Sequence, residues 1–257
     1  MSAARRARML PTSVRATLAL LCALGSVACG RPGQAGAETA PNQIDFTSPG
    51  SPRWPGFGQD APAPELTDAD VEQVATKVDP QRVPVAESNP SKGPANARVA
   101  LQVWSDFECP FCVQVAPTLA RLEQRYRGRI RLVWWNYPLP SHERARPAAR
   151  AARAAFELGG DAQFWKLHDW LFSPRADLSD AGLSQAVDQL RLDPRVKSAA
   201  RDATYDSRID VDMNTADLAG VEGTPAVFIN QYYMMGARHE AEYVLVIERA
   251  LRESAVN

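Results

Sequence analysis

An α/β fold is predicted for this chain, built as a strand, helix, strand unit followed by a block of helices, a strand pair and a closing helix. Three observations carry the prediction. A Val- and Leu-rich stretch at 98–104 passes into a helical stretch at 109–126 through two cysteines spaced Cys-x-x-Cys, and an apolar run follows at 129–137. Residues 141–217 then turn Ala-rich and helical in period. The strand-like Ala226-Val227-Phe228-Ile229 and Tyr232 to Met235 come late, on either side of a turn at Asn230-Gln231.

In chain order, residues 1–29 have the layout of a secretory signal peptide: Arg5, Arg6, Arg8 and Arg15 precede the apolar run Ala16 to Ala28. That run is shorter than the ~20 residues of a membrane span, so export with cleavage is expected. Ser26-Val27-Ala28-Cys29 resembles a bacterial lipobox, which would place a lipid anchor on Cys29; small residues at 26 and 28, or Ala35 and Ala37, suit ordinary signal peptidase. Residues 30–65 contain seven prolines among small residues and read as a linker. Residues 66–80 read as a short amphipathic helix capped by Thr67, with apolar positions 71, 74, 75 and 78.

The remainder, 81–257, is predicted to be one domain. Val83-Pro84-Val85 is expected as a short edge strand and Gly93 to Asn96 as a turn. A strand, helix, strand order of this length implies a right-handed crossover and a parallel pair, with a site at the carboxyl end of the first strand. The helical block is expected as 143–157, 162–172, 178–190 and 194–218, broken at Gly159-Gly160, Pro174 and Asp193-Pro194, and a last helix covers 240–252.

The chemistry is expected at Cys109 and Cys112. Three residues apart at a helix start, both sulfurs lie on one face of the first turn, within reach of a disulfide. The helix N-terminus favours a thiolate on Cys109, making it the nucleophile, and Cys112 is then the resolving thiol. Pro110 fits the first turn, and Phe111 adds an apolar collar. A zinc site would need two more ligands, and no second cysteine pair or His-x-x-x-His follows. Cys22 and Cys29 lie in or beside the signal region, so the domain carries only this pair, in a compartment where disulfides persist. A structural disulfide is the other reading of the spacing. The net charge of -1 over 257 residues gives no sign of a nucleic-acid partner, and no nucleotide loop, metal cluster or Ser-His-Asp arrangement is legible, so no cofactor is inferred.

Ser105 to Cys112, the Pro138 to Pro147 stretch, Phe164-Trp165 with His168-Asp169, and Gly223-Thr224-Pro225 in that order resemble the DsbA-like branch of the thioredoxin superfamily, over about residues 82–254. The resemblance implies a thioredoxin-like fold with the helical block inserted between the second and third core strands and capping the active site. It also implies a cis Pro225 beside the cysteines, with Thr224 offering backbone to an extended client. Exchange of disulfides with cysteine-containing exported proteins, and reoxidation by a membrane redox partner, are further implications. Oxidase activity is the leading expectation; a reductase or isomerase of the same fold and a redox-inert client-binding module are the alternatives.

The chain departs from the family at Val103, where many members carry an interior acid that assists proton transfer at the resolving thiol. Glu108 and Asp106 are the candidates to replace it. His168 is expected as a packed helix residue and His239 as a surface cap. His142 is a candidate for the active-site cleft.

Overall fold

The computed structural model describes residues 67–83 and 85–255. Its elements are α1 (Val71–Val74), β1 (Thr76–Lys77), β2 (Ser91–Lys92), β3 (Val99–Ser105), α2 (Pro110–Arg125), β4 (Ile130–Asn136), α3 (Ala145–Leu171), α4 (Asp180–Gln189), α5 (Arg195–Arg201), α6 (Asp206–Ala219), β5 (Ala226–Ile229), β6 (Tyr232–Met235) and α7 (Glu240–Glu253). The six strands form one sheet in the order β1-β6-β5-β3-β4-β2. β3 and β4 pair in parallel, from Val99 with Ile130 to Ser105 with Asn136, with α2 as the crossover. β5 runs antiparallel to β3 and hairpins into β6. The block α3 to α6 thus stands between β4 and β5, as expected, and the fold is thioredoxin-like.

Every residue of β4 and all but Ala100 of β3 are buried, because helices cover both faces of the sheet. One face packs Leu101, Val103 and Trp134 with Val115, Leu119 and Leu122 of α2 and Val246 and Ile247 of α7. The other packs Trp104, Val133, Trp135 and Phe228 against Ala216 and Ala219 of α6. Trp104 stacks on Trp135 with centroids 4.8 Å apart.

Three expectations are corrected. The helix expected at 66–80 stops at Val74: Ala75 is extended (φ -142°, ψ 145°), and Thr76 and Lys77 pair with Tyr233 and Tyr232. The open edge of β6 takes up their backbone groups, while Val71 and Ala75 keep the buried spacing that suggested a helix. Val83 and Val85 belong to no strand, and Pro84 is outside the described residues; the edge beside β4 is β2. The helix expected at 194–218 is two, α5 and α6, separated near Ala203, whose φ is 54°. The Gly159-Gly160 break is present as a kink within α3, with Gly160 at φ 66°, ψ -166°. The signal peptide, the linker and Cys29 fall outside the described residues.

Candidate active site

β3 delivers the site. After Ser105, the Asp106 carboxylate accepts the Glu108 amide at 2.7 Å and the Asp106 carbonyl accepts the Cys109 amide at 3.2 Å, turning the chain into α2. Cys109 is the N-cap (φ -72°, ψ 122°), and Pro110 occupies the first turn, where its missing N–H costs nothing. The Cys109 carbonyl accepts the amides of Cys112 at 3.0 Å and Val113 at 3.1 Å. Both sulfurs are free thiols; Cys109 is 3% exposed and Cys112 wholly buried.

The Thr224-Pro225 peptide is cis, and the Cys109 thiol donates to the Thr224 carbonyl at 3.4 Å. The loop before β5 and the start of α2, 115 residues apart in sequence, therefore meet at Cys109. Pro225 in turn accepts the Gly236 amide at 2.7 Å, placing the half-exposed Met235 beside it. Val113, 36% exposed, follows Cys112.

The two thiols are electrostatically unlike. The Cys109 pKa falls from 9.0 to about 6, through the Cys112 thiol first and then the Thr224 side chain and the Cys112 and Phe111 amides, against the effect of burial. Burial, followed by the hydrogen bond and charge of Cys109, pushes Cys112 well above 9.0; the Ser105 side chain and Asp106 backbone oppose this. The reduced pair thus holds one negative charge, on the outer sulfur.

Asp106 and Glu108 have different surroundings. The Asp106 carboxylate is sealed from solvent and, besides Glu108, accepts the Leu139 amide at 2.9 Å and contacts His142 Nδ1 at 2.7 Å. Glu108 accepts the Arg144 amide at 2.6 Å, tying the loop to the start of α3. His142 therefore does meet the active-site loop. His168 is packed among Phe107, Trp134, Phe164, Trp165 and Phe172, with burial lowering its pKa. His239 caps α7 through its backbone amide, which donates to Glu242 at 2.8 Å. The residue is partly exposed, while both ring nitrogens are buried without partners.

Val103 is buried in the apolar core, and an acid that sequence reasoning missed, Asp212 of α6, lies elsewhere in the interior. It accepts Asn89 at 3.0 Å, and the Asn136 amide and side chain at 3.0 and 2.7 Å, bracing the helical block on the end of β4. Asp212 stands in Ile209 to Asn214, where apolar and polar residues alternate, and nothing in that local pattern sets it apart from Asp210 as the buried acid. Among the described residues, no three His, Cys, Asp or Glu side chains cluster as metal ligands, and no helix is long and apolar enough to cross a membrane.

A family model described as thioredoxin matches residues 86–249. Among curated proteins, the Na(+)/H(+) antiporter NhaA 3 of Salinispora tropica is 38% identical over 168 residues, covering 65% of this chain and 24% of the antiporter. NhaA 1 of Salinispora arenicola is 37% identical with the same coverage. The chain thus spans about a quarter of the length of these relatives. Among solved structures, a periplasmic thioredoxin-like protein from Salmonella enterica serovar Typhimurium is 24% identical with a TM-score of 0.56, covering 66% of this chain and 94% of that one. BdbD from Bacillus subtilis gives 19%, 0.60, 69% and 98%, and the thiol-disulfide exchange protein alpha-DsbA2 from Wolbachia pipientis gives 18%, 0.58, 72% and 94%. At these identities the likeness to solved structures is one of fold.

Proposed function

The chain belongs to the thioredoxin family, and we propose that it is an exported thiol:disulfide oxidoreductase that donates the Cys109-Cys112 disulfide to client proteins. The observation that carries this reading is the division between the sulfurs: an outer Cys109 whose thiolate is favoured beside the cis Pro225 loop, and an inner Cys112 sealed behind it.

A client thiolate attacks Cys109 Sγ; the Cys109-Cys112 bond breaks, its electron pair goes to Cys112, and Cys112 takes up a proton. The client's second thiolate then attacks the client sulfur of the mixed disulfide, and Cys109 leaves as a thiolate. The client is oxidised and the pair reduced by two electrons. A pKa of about 6 in place of 9.0 stabilises the reduced form by ~1.4 kcal/mol at pH 7, or ~30 mV of oxidising power. Thr224 and Pro225 offer backbone to an extended client, and Val113 and Met235 give it apolar surface. Of the two nearby acids, Asp106 meets Cys112 through its backbone while its carboxylate is held by the Glu108 and Leu139 amides and His142, and the Glu108 carboxylate bonds the start of α3. Reoxidation is assigned to a membrane redox partner, and tethering to a lipid on Cys29.

The test is the reduction potential of the pair against a glutathione series. A value near about -120 mV supports a disulfide donor, about -270 mV a reductase, and a bridge still oxidised below about -300 mV a structural disulfide. Cys109→Ser should abolish oxidation of a reduced peptide; undiminished activity would overturn the reading.

A further inference from the structure

The first half of α3 packs on α4 and α5, and the three helices enclose a cleft of about 340 Å³. That volume lies within the ~300–1,000 Å³ of small-molecule sites. The floor is apolar: Ala151 of α3, Leu183 and Val187 of α4 and Val196 of α5 line it and are buried. Four cations stand around it, Arg144 and Arg150 from the α3 side and Lys197 and Arg201 from the α5 side, against one acid, Asp180. Neither cysteine lines the cleft, so an assignment here does not depend on disulfide exchange.

The acids that meet three of these cations are not part of the lining. Asp206 holds Arg150 through two bonds of 2.6 Å, Asp188 takes Lys197 at 2.6 Å, and Asp202 lies 3.9 Å from Arg201. They fix the cations from outside the cleft. Asp180, Asp188 and Asp202 are themselves exposed, and ion pairs that water screens so well are held weakly, so an incoming anion can share these cations at little cost. Arg144 bonds the Leu178 carbonyl and Asp180 through Nε and Nη2, and Arg150 bonds Asp206 through the same two atoms. The Nη1 donors of both arginines have no partner among the described residues.

An inorganic anion would satisfy this rim and waste the floor, and a neutral hydrocarbon would do the reverse. We propose that the cleft binds a medium-chain carboxylate, with its chain on Leu183, Val187 and Val196 and its head among Arg144, Arg150 and Lys197. Charge and apolar surface are then complementary at the same time. The headgroup of a bilayer phospholipid matches less well, because a headgroup alone leaves the apolar floor uncovered.

Isothermal titration of the full chain with decanoate checks the assignment. One saturable site is expected, with a negative heat-capacity change as the chain leaves water. Decanol, which lacks the charge, and acetate, which lacks the chain, should each bind at least about tenfold more weakly. Lys197→Gln should weaken decanoate about tenfold, and Ala200→Phe, which fills the cleft, should abolish its binding. No saturable site, equal affinity for decanol, or an affinity unchanged in either variant overturns the proposal. Cleft-dependent sedimentation with phosphatidylglycerol vesicles, without decanoate binding, overturns the free acid and assigns the cleft to a membrane lipid. If Ala200→Phe fails to fold, Lys197→Gln decides, since it breaks only a screened surface pair: a weakened site supports the proposal and an unchanged one overturns it.

Discussion

The sulfur of Cys109 lies 3.4 Å from the carbonyl oxygen of Thr224, so the residue before the cis proline closes one side of that sulfur. A thiol donates to that carbonyl, and a thiolate cannot. The Thr224 hydroxyl has the opposite preference: it is buried without a partner beside the neutral thiol, and it lowers the Cys109 pKa by bonding the charged form. Thr224→Val removes this donor and keeps the branched shape. Cys109 should then ionise about one pH unit higher, for a lost bond to a charged group worth ~1.5 kcal/mol, and the pair should become ~20 mV more reducing at pH 7. Ultraviolet thiolate absorbance against pH measures the shift; an unmoved titration means the hydroxyl does not bond the thiolate.

The largest influence lowering the Cys109 pKa is the Cys112 thiol. Serine retains a donor at that position and alanine does not. Cys112→Ala should raise the Cys109 midpoint by about one unit, whereas Cys112→Ser should hold it near 6. Both variants should accumulate mixed disulfides, having lost the resolving sulfur. Alkylation rates of Cys109 against pH separate them, and identical midpoints would remove Cys112 as the source of the shift.

A depressed acid contributes stability that is fully present above its unfolded pKa and is lost as pH falls through its folded one. For Cys109 that window runs from 9.0 down to about 6. Cys112 is raised instead, so below 9.0 it is a thiol both folded and unfolded and adds no slope. Between about pH 5 and 8 the reduced chain should gain roughly 2.5 kcal/mol relative to the oxidised chain, whose sulfurs do not ionise. Urea unfolding of both redox forms at the two pH values gives the difference directly. A constant difference would contradict a low Cys109 pKa.

The cysteine pair was legible because its signal is local. Cys109, Pro110 and Cys112 occupy one turn at the end of a strand whose Val and Leu content announces burial. β1 was not legible: Thr76 and Lys77 are polar and exposed, and only the neighbouring edge of β6 makes them a strand. The break between α5 and α6 has no Gly or Pro to mark it, since Ala203 takes up the positive φ. Polar contacts across the fold were the least legible. His142 stands 36 residues from Asp106, and Asp212 stands 76 from Asn136, so neither pair has a spacing to recognise. Pro138 to Pro147 showed that the stretch belonged near the site, and the folded chain shows which of its atoms touch it.

Asp212 offers a test of how far the helical block and the redox centre are separable. Asp212→Ala leaves both Asn136 donors buried without an acceptor and the Asn89 side chain with the Trp134 carbonyl alone, and should cost about 3 kcal/mol, read as a lower urea midpoint. Asp212→Asn keeps the volume and an acceptor and removes a charge that burial makes unfavourable, since burial raises this carboxyl's pKa. It should cost less, about 1 to 2 kcal/mol, because one acceptor becomes a donor facing other donors. A carboxyl raised by burial is most at ease below its ordinary 3.8 and loses ground as pH rises through its folded value, so the cost of Asp212→Asn should shrink toward neutral pH. The groups that set the Cys109 pKa are Cys112, Phe111 and Thr224, and none belongs to this network. In the folded fraction of either variant the Cys109 alkylation midpoint should therefore stay near 6. A midpoint that moves with stability would show that the helical block, through Asn136 at the end of β4, tunes the nucleophile as well as supporting it.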